Sequence, residues 1–344
     1  MKLRYRLLGA SGLRVSELCL GTMTFGETWG WGASKEESQK QFELFAVAGG
    51  NFIDTSVNYT DGASEEFLGE FLGRERDRFV VATKYSLTTR ESTNPNSGGN
   101  GIKSMRRAVE TSLHRLRTDH IDLLYLHMWD YLTPVEEVMA GLNDLVRQGK
   151  VLYIAFSDTP DWIVAQANTL ADLRGWAKPV ALQLPYSVAD RAPERSLLPM
   201  ARHWGMTTLA WGVLEAGLLT GKYRAGNDEP TRMNRTDTQI SPRLQSIIDA
   251  VAAISKETGR SMSQVAINWV RQQPATIPII AGRTAAQLAD NLAAAEWRLS
   301  DEQLAELNEV SKIELGFPHN FLEGNSLIFG ATFDLIDKEA TARN

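Results

Sequence analysis

The sequence has little cysteine, no long apolar run and no excess of positive charge. Its single cysteine, Cys19, excludes an internal disulfide and any metal or redox motif built on paired cysteines. No apolar run approaches the roughly 18 residues of a membrane-spanning helix. Lysine and arginine number 36 against 42 acidic residues, which gives a net charge of −6. We therefore expect no metal site and no binding to membranes or nucleic acid.

The composition is that of a folded globular protein, with 43% hydrophobic and 23% charged residues. Arginine and glycine interrupt the apolar residues of the N-terminal stretch too often for a signal peptide, so we expect a cytoplasmic protein. The length of 344 residues would suggest two domains at about 150 residues each. That quotient does not decide the number, because α/β barrels routinely exceed about 250 residues as one domain.

Short apolar runs alternate with segments of helical periodicity along most of the chain. The runs lie at 18–20, 51–53, 79–82, 121–126, 151–156, 180–182, 207–210 and 277–280. The helical segments lie at 34–48, 64–72, 102–116, 135–146, 162–173, 194–204, 264–270 and 285–295. An open doubly wound sheet would need a GxGxxG loop after its first strand, but residues 21–26 read GTMTFG. We therefore predict a single (β/α)8 TIM barrel, of the α/β class, with a parallel sheet.

Other segments fall outside this repeat. Two short extended stretches around the turn-rich residues 9–12 predict an N-terminal β-hairpin. Segments 88–101 and 222–242 are polar and rich in Pro, Gly and Asn, which predicts long loops on the C-terminal face of the barrel. The aromatic residues of the tail predict that it packs against the body. The expected single domain spans 1–344, with the hairpin at 3–16, the barrel at 17–299 and a C-terminal helix and tail at 300–344.

Polar and ionisable side chains stand where the predicted strands end. Asp54, Lys84 and His127 follow three successive apolar strands, and Tyr59 lies five residues beyond Asp54. The carboxyl ends of barrel strands converge on one mouth, which is where the active sites of such barrels lie. One such residue alone would be explained by a surface salt bridge. Three at successive strand ends predict an active site.

The residues around these strand ends form motifs with a recognisable order. They are GNFIDTSVNY at 50–59, SEEFLG at 64–69, Lys84 after VVAT, His127 after DLLYL, Trp211, AGLLTGKY at 216–223, and AGRT at 281–284 with Gln287 and Asn291. This pattern resembles the aldo-keto reductase family, in its bacterial-type, NADPH-dependent form, from about residue 8 to residue 299. The resemblance implies the reduction of an aldehyde or ketone to an alcohol.

The resemblance also implies a catalytic role for each of four residues, and their chemistry agrees. Tyr59 would donate the proton to the developing alkoxide, which requires that its pKa, ordinarily about 10, be lowered toward neutrality. The Lys84 ammonium would lower it, and Asp54 would hold the lysine in place. His127 would donate a hydrogen bond to the carbonyl oxygen and orient the substrate.

The implied cofactor is NADPH/NADP+, with the nicotinamide against Trp211 and its carboxamide held by Ser157 and Gln183. Arg283 at a helix start would bind the 2′-phosphate, since free amides, the helix dipole and a guanidinium all favour an anion there. Two positions depart from the family pattern: Asp158, where many members have Asn or Arg, and 212–214, which reads GVL instead of Ser-Pro-Leu. The predicted cofactor-binding residues are Gly21, Thr22, Met23, Asp54, Ser157, Asp158, Gln183, Trp211, Gly212, Leu214, Gly217, Leu218, Lys222, Gly282, Arg283, Thr284, Gln287 and Asn291.

The substrate pocket is predicted from aromatic residues in the mouth loops. Trp29, Trp31, Tyr85 and Trp129 would wall a pocket for an apolar or sugar-like carbonyl compound, a small molecule. Two alternatives stay open. One is a Schiff-base aldolase that uses Lys84 as its nucleophile. The other is a non-catalytic regulatory subunit that binds NADPH. The sequence leaves the oligomeric state unknown.

Overall fold

Eight parallel strands close into a barrel in this computed structural model, which describes residues 2–89, 92–221, 240–322 and 328–336. The strands are β1 (Tyr5–Leu7), β2 (Arg14–Ser16), β3 (Cys19–Gly21), β4 (Phe52–Asp54), β5 (Val80–Tyr85), β6 (Ile121–Leu126), β7 (Val151–Ser157), β8 (Pro179–Pro185), β9 (Thr207–Trp211) and β10 (Thr276–Ile280). Strands β3 to β10 form the barrel in chain order, with β10 pairing β3, while β1 and β2 form an antiparallel hairpin. The predicted (β/α)8 fold and N-terminal hairpin are confirmed.

Helices surround the barrel. They are α1 (Lys35–Val47), α2 (Ala63–Leu72), α3 (Ile102–Leu116), α4 (Val135–Arg147), α5 (Asp161–Arg174), α6 (Leu197–His203), α7 (Pro242–Thr258), α8 (Met262–Arg271), α9 (Ala285–Ala293), α10 (Asp301–Val310) and α11 (His319–Leu322). Helix α7 is missing from the prediction, although Ser241 caps it and Pro242 stands at its first position, where proline is favoured. The helix predicted at 194–204 is split into a 3₁₀ turn, Ala192–Arg195, and the shorter α6.

The strands alternate between two apolar layers. One side-chain layer fills the barrel interior and includes Ala82 and Tyr125, whereas the other lies between strands and helices and includes Val81 and Tyr85. Every residue of β5 and β6 is buried for this reason. The same alternation directs Lys84 into the barrel and its neighbour Tyr85 outward.

The hairpin closes the amino-terminal end of the barrel. Leu8 and Val15 are fully buried and belong to the interior layer. Gly9 follows with a φ of +54°, and a Cβ added there would lie 2.1 Å from the carbonyl oxygen of Val180. Only glycine permits this approach of the hairpin to the barrel wall. Its amide donates to Thr207 Oγ1 at 2.7 Å.

The segments outside the repeat were predicted as two long loops and a tail packed against the body. Asn100 joins the 88–101 loop to the loop before α4, since it donates to Asp130 and receives a hydrogen bond from it. The prediction that the tail packs on the body is wrong for its described residues: Phe317 is 82% and Phe321 64% exposed. The predicted loop at 222–242 lies outside the described residues up to position 239.

No helix among the described residues is long and apolar enough to cross a membrane. Within that same part of the chain, the structure contains no group of three His, Cys, Asp or Glu side chains that could hold a metal ion.

Candidate active site

Lys84 organises the barrel mouth through three hydrogen bonds. Its Nζ, fully buried, donates to Asp54 Oδ2 at 2.6 Å, to the carbonyl oxygen of Thr55 at 2.9 Å and to Tyr59 Oη at 3.0 Å. An ammonium has three protons, and each has an acceptor here. Tyr59 Oη therefore accepts from Lys84, and its own proton is available for another partner.

Tyr59 reaches Lys84 because the chain turns sharply after β4. Residues 60–62 all have positive φ, between 47° and 104°, and α2 begins directly after them. Arg115 on α3 donates to the carbonyl oxygen of Val57 at 2.8 Å, which ties this turn to the helical layer. The backbone thus fixes the position of the phenol independently of any substrate.

Asp54 is held at both carboxylate oxygens. Oδ2 accepts from Lys84, and Oδ1 accepts from Gln183 Nε2 at 2.8 Å across the barrel. Burial disfavours the Lys84 ammonium, but Asp54 and Tyr59 together outweigh burial and raise the pKa of Lys84 above its ordinary value. The lysine is a permanent cation under the tyrosine.

The pKa of Tyr59 does not move in the expected direction. Burial raises it, and the Lys84 charge, which lowers it, only partly offsets burial. The prediction of a net lowering is therefore wrong. Tyr59 is a neutral phenol and can act as a proton donor over the whole physiological pH range.

His127 lies beside Tyr59, with ring centroids 5.8 Å apart and the rings edge to face. Burial, with a smaller contribution from Lys84, lowers the pKa of His127 well below the ordinary histidine value, so the imidazole is neutral. Its Nδ1 lies 3.1 Å from Ser56 Oγ, which in turn lies 2.7 Å from Asn58 Oδ1. Asn58 Oδ1 can only accept, so Ser56 donates its one proton to that oxygen and accepts from His127 Nδ1, which leaves Nε2 without a proton in this arrangement.

Three of the predicted cofactor-binding residues lie at or directly after the ends of β7 and β9. Ser157 Oγ is buried and has no hydrogen-bond partner among the described residues. Trp211 is 40% exposed at the mouth, and its Nε1 donates to Asp158 Oδ1 at 3.2 Å. A buried hydroxyl without a partner, one residue before the carboxylate that binds an exposed indole, suits an amide-bearing planar ring, so these residues fit a nicotinamide.

The cofactor-binding residues predicted at and after the first barrel strand have partly structural roles. Gly21 leaves no space for a side chain, because a Cβ would lie 2.7 Å from Ile279. Thr22 is fully buried, and its hydroxyl bonds the carbonyl oxygen of Asp54 and Ser64 Oγ, whereas Met23 is partly exposed. The side chain of Thr22 therefore points away from the mouth, and a ligand could meet only its backbone.

The segment after β9 forms a glycine-containing turn. Gly212 and Gly217 have positive φ, Leu214 is partly buried and Leu218 is buried. Lys222, the last predicted contact of this segment, lies outside the described residues.

The start of α9 holds the residues predicted to bind the adenosine end. Arg283 is exposed, and Thr284 caps the helix by accepting from the Gln287 amide. Gln287 Oε1 accepts from the Arg283 amide, and Asn291 Nδ2 donates to the Ala281 carbonyl oxygen, so both side chains shape the turn. Buried Gly282, part of the same turn, has no space for a Cβ. The sequence analysis missed Glu37, whose Oε1 accepts from the Ala285 amide at this helix terminus.

The predicted substrate-pocket residues divide into two groups. Trp29 stands edge to face with Tyr59 at 6.4 Å and next to Trp31 at 5.8 Å, so this pair borders the phenol. Tyr85 is a correction: it is fully buried between strands and helices, with its hydroxyl toward the Asn100 carbonyl oxygen. Trp129 is also buried in that layer. Strand alternation, which directs Lys84 inward, excludes its neighbour from the mouth.

The predictions from sequence missed three groups near the candidate catalytic residues. They are the side chains of Ser56 and Asn58 and the carbonyl oxygen of Thr55. Ser56 stands two positions after Asp54, and that spacing places both side chains on one face of an extended chain. The two-residue spacing between Asp54 and Ser56 is the sequence signal that could have identified Ser56.

A closed parallel barrel with a lysine, a carboxylate, a tyrosine and a histidine at its mouth defines a barrel oxidoreductase. A sequence profile of the Aldo/keto reductase family matches residues 17–312. The chain is 38% identical to the aryl-alcohol dehydrogenase (NADP(+)) of Phanerodontia chrysosporium, over 98% of this chain and 92% of that protein. It is also 38% identical to the norsolorinic acid reductase of Aspergillus flavus, over 92% and 84%. The chain belongs to the aldo/keto reductase family and is a nicotinamide-dependent oxidoreductase of carbonyl compounds.

Proposed function

We propose that this protein reduces an aromatic aldehyde or ketone to the alcohol with NADPH, and that Tyr59 supplies the proton. The observation that carries the proposal is the set of three hydrogen bonds from Lys84. Because the ammonium donates to Tyr59 Oη, the phenolic proton is left for a substrate oxygen, and the cation stabilises the phenolate that forms when the proton leaves.

The other residues hold this arrangement. Asp54 accepts from Lys84 and Gln183, so the ammonium cannot turn away from the phenol. Neutral His127 lies edge to face with Tyr59 and orients the carbonyl oxygen by donating from Nε2. That role requires Ser56 to turn its proton from Asn58 Oδ1 to Nδ1, so that Nε2 carries the imidazole proton. The bound cofactor supplies the hydride.

The NADPH assignment rests on residues at two places on the strand-end side of the barrel, at the end of β7 and after β10. The unpaired Ser157 hydroxyl would bind the carboxamide beside Trp211, and the exposed Arg283 would bind the 2′-phosphate. Glu37 also stands at the α9 terminus, so the arginine must supply the attraction there. The P. chrysosporium relative, named for NADP(+), agrees with this choice.

An aromatic substrate is supported by the Trp29–Trp31 pair beside the proton donor. Flat rings that stack or meet edge to face favour a flat partner. The relatives named above carry names for an aryl alcohol and for norsolorinic acid. We therefore propose aryl aldehydes and aryl ketones as the first compounds to test.

Tyr59→Phe tests the proton-donor role. Loss of the phenolic proton should lower kcat for reduction at least about 100-fold, the usual size of an acid–base contribution, while the Kd of NADPH changes little. The measurement follows NADPH absorbance with a panel of benzaldehydes and acetophenones, beside a calorimetric titration of NADPH. Phe71→Tyr, prepared and assayed in the same way, is the control, since Phe71 packs on Phe25 and Phe42. Full activity in Tyr59→Phe would contradict the assignment.

The two alternatives make different predictions. A Schiff-base aldolase needs a neutral amine, whereas the pKa of Lys84 is raised and its three protons are engaged. Borohydride trapping of substrate on Lys84 would favour that alternative. Tight NADPH binding with no turnover of any carbonyl compound would instead favour a regulatory subunit.

A further inference from the structure

Asp158 presents a carboxylate at the barrel mouth in a strained and fixed conformation. It directly follows β7 and has a φ of +39°, which is unfavourable for any residue except glycine and only tolerated by aspartate. Its amide donates to the Gln183 carbonyl oxygen at 3.1 Å, and its own carbonyl oxygen accepts from the Trp129 amide at 3.3 Å. Backbone contacts on both sides therefore fix where the side chain projects.

The Asp158 carboxylate is partly desolvated, and its side-chain hydrogen bond joins it to a neutral group. Its side-chain partner is the neutral indole of Trp211, at 3.2 Å. Across residues 2–89, 92–221, 240–322 and 328–336, no ion pair joins it to a Lys, Arg or His within 4.0 Å. Burial raises the pKa of Asp158, and the Lys84 charge acts against that rise. Its own charge in turn helps to raise the pKa of Tyr59, so Asp158 acts electrostatically on the reacting centre.

A negative charge at this position distinguishes the two redox forms of a nicotinamide. The oxidised ring carries a positive charge and the reduced ring is neutral, so a nearby carboxylate attracts one form and not the other. Trp211, the hydrogen-bond partner of Asp158, is the residue against which we place the ring. Resting on the proposed function, we infer that Asp158 makes the protein bind NADP+ more tightly, relative to NADPH, than a neutral residue would.

A preference for NADP+ has one favourable and one unfavourable consequence for a reductase. Tighter binding of NADP+ favours the state that exists after the hydride has left the cofactor for the carbonyl carbon, and it slows release of the oxidised cofactor. Asparagine at the same position could bond the carboxamide equally well, but it would treat both redox forms alike.

Asp158→Asn separates charge from hydrogen bonding. Calorimetric titrations with NADP+ and with NADPH give two Kd values for each variant, without any turnover. We expect the Asn variant to weaken NADP+ relative to NADPH by about tenfold, the effect of one partly screened charge interaction. Asp161→Asn is the matched control: Asp161 is a partly exposed aspartate three residues away at the start of α5, and its loss should leave the ratio unchanged.

The outcomes are distinguishable. An unchanged ratio in Asp158→Asn, or an equal loss for both nucleotides, would overturn the inference and leave the proposed function intact. Binding of neither nucleotide to the wild-type protein would instead overturn the proposed function. If Asp158→Asn does not fold, Asp158→Ser removes the same charge with a smaller side chain, and the same ratio decides the question.

Discussion

At the scale of single residues, the site is governed by the number of protons that each group can donate. Lys84 has three and uses all of them, so Tyr59 keeps its proton for the substrate. Ser56 has one, which it donates to Asn58 Oδ1, and His127 Nδ1 lies within hydrogen-bonding distance of the same hydroxyl. A buried neutral histidine can donate from Nε2 only if Nδ1 is an acceptor.

Ser56→Ala tests whether this hydroxyl positions His127. Without it the imidazole loses its partner at Nδ1, so we expect kcat/KM to fall about tenfold, the lower end of the losses seen when a group that orients a metal-bound histidine is removed. The Kd of NADPH should not change. The ¹⁵N chemical shifts of His127 report its tautomer directly. Ser56→Thr keeps the hydroxyl and should restore both readouts; an unchanged tautomer in Ser56→Ala would reject the role.

At the scale of elements, helix α9 shows two opposite charges at one terminus. Glu37 of α1 accepts from the Ala285 amide, and Lys40 lies 3.6 Å from the same carboxylate. Arg283 stands one residue before the cap of the helix. A helix N-terminus attracts an anion, but here a protein carboxylate already satisfies one amide. Discrimination between NADPH and NADH should therefore depend on the arginine more than on the helix.

Arg283→Ala and Glu37→Gln should act in opposite directions on the 2′-phosphate. Loss of the guanidinium should weaken NADPH about tenfold or more and NADH little, since a charged hydrogen bond contributes about 1.5–3 kcal/mol. Loss of the Glu37 charge should tighten NADPH, because one like charge is removed. Titrations of both nucleotides measure these effects. Equal losses of NADPH and NADH in Arg283→Ala would show that it does not bind the phosphate.

At the scale of the whole molecule, the barrel is a filled core that is open for chemistry at one end. The hairpin side chains Leu8 and Val15 continue the interior layer of Cys19, Phe52 and Leu123 at the closed end. The four candidate catalytic residues lie at the other end. Burial at the mouth of this filled barrel shifts the pKa values of Tyr59 and His127.

Leu8→Ala should therefore destabilise the entire fold. A fully buried leucine in a filled core costs about 2–5 kcal/mol of unfolding free energy when it is truncated. Leu7→Ala, at the adjacent exposed position, should change stability by less than about 0.5 kcal/mol. Urea denaturation of both variants measures the difference. Similar values for the two would mean that the hairpin does not contribute to the barrel core.

The elements that were predicted correctly are those with a strong repeating signal. Helix α3 was located at both ends because its apolar stripe is regular, and the hairpin because glycine and serine mark its turn. Helix α7 was missed because its Ser241-Pro242 start was included in the polar segment predicted as a loop. The prediction that the tail packs against the body was wrong because aromatic content indicates only a tendency to be buried. It does not show that the body offers a surface against which the tail can pack.

The sequence by itself determined the barrel, its eight strands and the candidate residues at the strand ends, because periodicity and strand order are local and repeating. Only the tertiary structure decided which side chains meet: the Gln183 bond to Asp54 spans 129 positions, and Glu37 reaches α9 across 248. It also reversed the expected pKa direction of Tyr59 and removed Tyr85 from the pocket. Burial and contact between distant segments set these properties, and neither is encoded in the spacing of residues along the chain.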